Sequence, residues 1–147
     1  MIYDVQCILS DAQAITADAA SANIIDWGAI GTPMHAAAPL DVDWGVPDCL
    51  FVQGLITATF ATLTSLEIQI QTDNDEAFGS ATTIYKTEAM PAADLVQGRW
   101  IASFRLPRKI KERYMRANYN VGGSNATAGA ITLGVVAGEQ TAMLDVA

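Results

Sequence analysis

Histidine and cysteine are nearly absent from this 147-residue chain, which has one histidine, His35, and two cysteines, Cys7 and Cys49. That stock excludes the multi-histidine metal centres of small β-barrel enzymes, a cupin-type oxygenase among them. Two cysteines so far apart form no metal motif. In Val5-Gln6-Cys7-Ile8-Leu9 and Cys49-Leu50-Phe51-Val52 they read as small apolar side chains in strands, reduced and buried. Long hydrophobic runs are missing too: no stretch of 18 apolar residues exists to span a bilayer. The first residues, Met1-Ile2-Tyr3-Asp4-Val5-Gln6, have neither the basic nor the apolar region of a signal peptide, so synthesis in a cytoplasm is expected. Aromatic residues are 7% and charged residues 16%, below the usual ~25%. The core should therefore be thin and built from small and β-branched side chains. A surface so poor in charge suits contact with other protein.

Basic residues are scarce everywhere except one stretch. Seven of the eight fall between Arg99 and Arg116, with only Glu112 to offset them. The band carries +6 and the rest of the chain −14. Such segregation suggests a surface meant to meet another surface. The net charge of −8 argues against nucleic acid as that partner.

The dominant hydrophobic period is two, which specifies strands. Leu66, Ile68 and Ile70 share one face of their segment, while Glu67, Gln69 and Gln71 share the other. Trp100, Ala102, Phe104 and Leu106 are expected inward, as are Met115, Ala117, Tyr119 and Val121. Further strands are expected over Tyr3–Leu9, Asn23–Trp27, Leu50–Thr59, Thr82–Lys86 and Ala130–Ala137. About eight strands separated by turn formers predict an all-β, jelly-roll-like antiparallel β-sandwich, one domain over residues 1–147. Asp11–Ala22 reads as a helical turn or an extended arm. Gly31–Asp48, with three prolines and Trp44, reads as a long loop insert.

No motif points to catalysis. His35 could serve a hydrolase with Asp41 or Asp43, but no Gly-x-Ser-x-Gly elbow marks a nucleophile. Asp73-Asn74-Asp75-Glu76 could attract calcium, yet Ala77 breaks the EF-hand pattern, and a turn is the plainer reading. Asn125-Ala126-Thr127 is a sequon of no consequence without a secretory signal. Trp27 is expected to cover the core, and Trp44 either to do so or to anchor an interface. Arg99, Arg105, Arg113 and Arg116 are expected on the outer faces of two strands, with Arg108, Lys109 and Lys111 in the loop between. Paired as a hairpin, those strands would gather all seven cations on one face and its tip. The plain alternative is a solvated face paired with the chain's own acids.

The order of several segments carries a resemblance. They are Ser10-Asp11-Ala12-Gln13-Ala14-Ile15-Thr16, Ser21–Gly28, Leu66–Phe78, Arg113–Tyr119 and a closing Ala/Gly/Thr strand over Thr127–Ala137. The pattern resembles the capsid cement, or decoration, proteins of tailed bacteriophages that stabilise shells of HK97-type coat subunits. The resemblance implies a jelly-roll homo-oligomer, dimer or trimer, that clamps the major capsid protein on the capsid exterior of the virion. It implies no enzyme activity, cofactor, membrane or nucleic acid. The loop insert and the lysine-rich tip at Lys109 and Lys111 depart from it. A lectin-like jelly roll, with Trp44 as stacking platform and a calcium loop at Asp73–Asp75, is the alternative.

Overall fold

The structure, a computed structural model, describes residues 3–46 and 50–138. The described residues form β1 (Ile8–Ala14), β2 (Ala19–Ala20), β3 (Ile25–Asp26), β4 (Leu50–Ala61) and β5 (Ser65–Asp73). They continue with β6 (Thr82–Lys86), β7 (Met90–Pro91), β8 (Trp100–Arg105), β9 (Tyr114–Gly122) and β10 (Ala128–Ala137). Single 3₁₀ turns lie at Val5–Cys7 and Ala92–Asp94.

Two antiparallel sheets result. One has the order β1-β10-β4-β8, the other β2-β9-β5-β6, with β3 also on β9 and β7 on β5. β2 and β3 meet β9 at Tyr119 and Met115 respectively, so they are one interrupted strand. With that strand counted once and the two-residue β7 set aside, eight strands remain in the two sheets of a jelly roll. The all-β sandwich expectation holds.

Each sheet buries one face. Leu66, Ile68 and Ile70 on β5 and Met115, Ala117 and Tyr119 on β9 are buried from one side. Leu9, Val52, Ile56, Ile131 and Leu133 meet them from the other. The fully buried large side chains are aliphatic apart from Met115 and Tyr119, as a low aromatic content requires. Burying each aliphatic side chain stabilises the fold by roughly 1.5–3 kcal/mol. At the open side, Tyr85 of β6 stacks on Phe104 of β8 with centroids 3.7 Å apart. Gly134 lets the Tyr3 ring lie on β10, since an added Cβ would sit 2.9 Å from that ring.

Two expectations are corrected. Residues Val5–Cys7 form a 3₁₀ turn with Asp4 accepting from the Gln6 N–H at 2.8 Å, so the first strand starts at Ile8 and Cys7 lies outside it. Cys7 is a free, only partly buried thiol, and Cys49 lies outside the described residues. Of the two readings of Asp11–Ala22, the arm holds: it finishes β1 and supplies β2, without a helix.

Candidate protein-interaction surfaces

β8 pairs with β4 in one sheet and β9 with β5 in the other, so β8 and β9 are not a hairpin. Residues 106–113 cross from sheet to sheet, with Leu106 and Ile110 buried beneath. This overturns the single basic face. Arg105 stands on the first sheet, Arg113 and Arg116 lie on or beside the second, and Arg108, Lys109 and Lys111 ride the crossover.

Several cations are held by the chain's own acids. Arg113 makes two 2.7 Å bonds to Asp26, a planar fork on a carboxylate, and lies over the Tyr114 ring. Lys111 Nζ is 2.6 Å from Asp41, and Arg99 is 2.8 Å from Asp94. Arg116 donates to Gln71 Oε1 at 2.9 Å and covers Phe78. Arg105 differs: it stands 5.4 Å from the Phe51 ring centroid, and no described carboxylate pairs with it.

The crossover is fastened to the long loop. Asp43 accepts from the Lys109, Ile110 and Gly45 N–H groups at 2.7, 3.1 and 3.0 Å. The Trp44 N–H donates to the Ile110 carbonyl at 3.0 Å. Lys109 adopts a left-handed φ of 74° to bring its amide to Asp43. The end of the loop is therefore anchored, while residues 31–41 are exposed.

These carboxylates titrate low. The Arg113 bond holds Asp26 at about 2. The Lys109 amide lowers Asp43, Gln69 lowers Glu67, and the Asp75 amide lowers Asp73. A carboxylate held below its unfolded value contributes stability above about pH 4.5, lost as pH falls through its folded value. The melting temperature should be flat from pH 7 to 5 and fall steeply between pH 4.5 and 2. Asp26→Asn should remove part of that slope. A melting temperature unchanged down to pH 2 would contradict these assignments.

The other candidate residues are engaged internally or stand alone. Trp44 stacks on Trp27, centroids 5.2 Å apart and 16° from parallel, and both pack on the core. That face of Trp44 is no platform for a sugar. The Asp73 oxygens accept from Asp75 N–H, Ser80 N–H and Ser80 hydroxyl, as in a turn that satisfies itself. His35 is exposed at a φ of 67°, and its proposed partners Asp41 and Asp43 hold Lys111 and backbone amides. A shallow apolar cavity of about 360 Å³ lies between Cys7, Trp27, Leu50 and the end of β10. Burial and the Asp4 charge push the Cys7 thiol up, against nucleophilic use.

One surface escaped the sequence reading. Leu55 of β4 pairs with Trp100 and Gly54 with Ala102, so β8 carries a bulge at Ile101. The extra residue reverses the alternation. Ile101 packs on the core and Trp100, expected inward, turns outward with 40% of its surface exposed. The cross-strand pairs place Phe51, Leu55, Trp100, Arg105 and Thr132 on one outward face. None of the 16 acidic residues lies on β4, β8 or β10. Only the bulge hides this face, and strict alternation cannot reveal a bulge.

Among the described residues no three His, Cys, Asp or Glu side chains could hold a metal together. No described helix is long and apolar enough to cross a membrane. Fold and surface thus define a jelly-roll β-sandwich whose long loop is fastened to the crossover between its sheets. The chain matches the Bbp16 family model over residues 9–135 and belongs to that family, whose name points to bacteriophage. No curated protein matches the chain.

Proposed function

We propose that this protein is a non-catalytic cement protein that binds the exterior of an assembled phage capsid and holds major capsid subunits together. The observation that carries the reading is membership of a phage-related family by a chain folded as a jelly roll. The physical logic supports it. A protein that binds the assembled shell and not its free subunits stabilises the shell by mass action. Many copies act together, so modest contacts sum to a large effect. A small oligomer of this chain would add that multivalency. The lectin-like reading loses its stacking platform and its free calcium ligands, as the Trp44 and Asp73 contacts describe. Arg99, Lys111 and Arg113 already hold the chain's own acids and are poor candidates for the contact.

Sedimentation with empty shells, assembled from the coat protein of the same phage, tests the reading. The protein should pellet with shells, stay behind with unassembled coat subunits, and raise the temperature at which shells break. Absence of pelleting at every salt concentration would remove the proposal.

A further inference from the structure

We infer that the long loop, residues 28–46, seats its apolar tip at Met34 in the cavity beside Cys7 and Trp27 of a second copy of this chain. This deepens the cement reading, because it names the contact that makes the small oligomer.

The loop is built against the usual rule, by which exposed loops are rich in polar turn formers. Every residue from 29 to 41 is exposed, and none from 27 to 40 is an acid, a lysine or an arginine. Nine large hydrophobic side chains are exposed among the described residues, and four lie on this loop: Ile30, Met34, Leu40 and Val46. Met34 is the most exposed of all, at 87%. The loop is also held in shape. The Leu40 N–H donates to the Gly31 carbonyl at 3.1 Å and closes the neck. The Ala36 N–H donates to the Pro33 carbonyl at 3.0 Å, and His35 takes a left-handed φ of 67°, so a tight turn holds Met34 at the tip. With the Asp43 bonds at the base, little ordering is left for binding to do. An apolar tip so prepared calls for an apolar recess.

The chain has such a recess. The cavity of about 360 Å³ is lined by Asp4, Cys7, Trp27, Leu50 and residues 135–137. That is within the range of ligand pockets, about 300–1,000 Å³, and unbranched methionine adapts to irregular gaps. In its own copy the loop leaves from the cavity wall at Trp27 and runs out into solvent. The root of the loop and the recess therefore adjoin at one end of the sandwich. A two-fold axis beside them lets each copy insert its tip into the other, a closed and self-complementary contact.

Charge permits the meeting. The loop and the crossover that fastens it carry Asp41, Asp43 and Glu112 against Arg108, Lys109, Lys111 and Arg113. These segments are near neutral on a chain of −8, so they add little like-charge repulsion. A lipid surface fits poorly. Between Trp27 and Trp44 the loop brings no cationic lysine or arginine and no Phe, Tyr or Trp, and Asp26 and Asp41 flank its apolar part.

Sedimentation velocity over a concentration series tests the contact without shells, and so apart from shell binding. Wild type should form a discrete dimer. Met34→Asp should weaken self-association about tenfold or more. Val96→Asp, at an exposed apolar site by the other end of β4, should stay within about twofold of wild type. Both sites are on the surface, so both variants should melt like wild type. Under a mild oxidant, Met34→Cys should give a covalent dimer whose peptide map joins residue 34 of one copy to Cys7 of the other. Wild type that stays monomeric at every concentration overturns the inference, as does a dimer that Met34→Asp leaves intact. A bond from residue 34 to Cys7 within one chain, or none to Cys7 at all, overturns it too. Loss of shell binding by Met34→Asp, with no self-association in wild type, would make coat protein the occupant and also overturn it. Wild type that dimerises in this way but ignores shells removes the cement reading and leaves the contact standing.

Discussion

Gly45→Ala is expected to destabilise the protein by about 3 kcal/mol, the upper range for forcing extra volume into a packed site. For a chain of this size that corresponds to a fall of roughly 10 °C in melting temperature. A Cβ at residue 45 would collide with the Pro107 carbonyl, 2.7 Å from its carbon and 2.8 Å from Arg108 Cα. These are backbone atoms, so no rotamer change relieves the clash. Either the end of the long loop or the crossover must move. Movement of either breaks the Asp43 bonds to the Lys109 and Ile110 amides and the bond from Trp44 N–H to Ile110. It also pulls Trp44 from Trp27. Gly31→Ala, in the same loop, meets nothing within 4 Å and should change stability by less than about 0.5 kcal/mol. Thermal melts of the two variants check the contrast. A Gly45→Ala protein melting within about 2 °C of wild type would show that the loop is not latched to the crossover.

That latch shows where the sequence was legible and where it was not. β5, β6 and β9 follow from the chain alone, because each alternates or is bounded by turn formers over its own length. The sandwich follows from several such strands at regular spacing. What failed was partnership. Arg99–Leu106 and Arg113–Val121 are neighbours in sequence and invite a hairpin, but both find their partners far away, on β4 and β5. Their pairing depends on the whole jelly-roll path, which no local signal encodes. The basic cluster dispersed for the same reason, and Asp26, Asp41 and Asp94 met its members through folding. Trp100 failed through one residue, since a bulge at Ile101 sends the side chains before it to the opposite face. Cys7 failed through Asp4, whose carboxylate caps a 3₁₀ turn in a segment that reads as apolar strand. The outward turn of Trp100 was therefore invisible until the register was known.

The largest polar effect is expected at Ser10. Its hydroxyl is fully buried between the two sheets. It donates to Gln13 Oε1 at 2.7 Å, so the Tyr119 hydroxyl, also 2.7 Å away, must donate to it. Gln13 in turn accepts from the Ala22 N–H at 2.7 Å and donates to the Ala20 carbonyl at 2.9 Å. One chain of bonds thus runs from β9 in one sheet to β1 in the other and on to the arm that forms β2. Ser10→Ala leaves the Tyr119 hydroxyl buried without its acceptor, and should cost about 2 kcal/mol. Tyr119→Phe removes the donor along with the bond and should cost about 1 kcal/mol. The double variant should cost less than the two single changes added, because Tyr119→Phe removes the very group that Ser10→Ala strands. Burial also pushes the Tyr119 phenol well above its usual value, so the folded protein keeps a proton that the unfolded chain releases near pH 10. Stability from that group is complete below pH 10 and is lost as pH rises above it, at about 1.4 kcal/mol per pH unit. Tyr119→Phe should therefore melt below wild type at pH 7 and lose less than wild type between pH 10 and 11.5. Half-buried Tyr3, whose hydroxyl donates to the Gln53 carbonyl at 2.9 Å, retains the rest of the alkaline slope. Additive single and double variants, with parallel alkaline slopes, would mean that the Ser10–Tyr119 bond does not join the sheets.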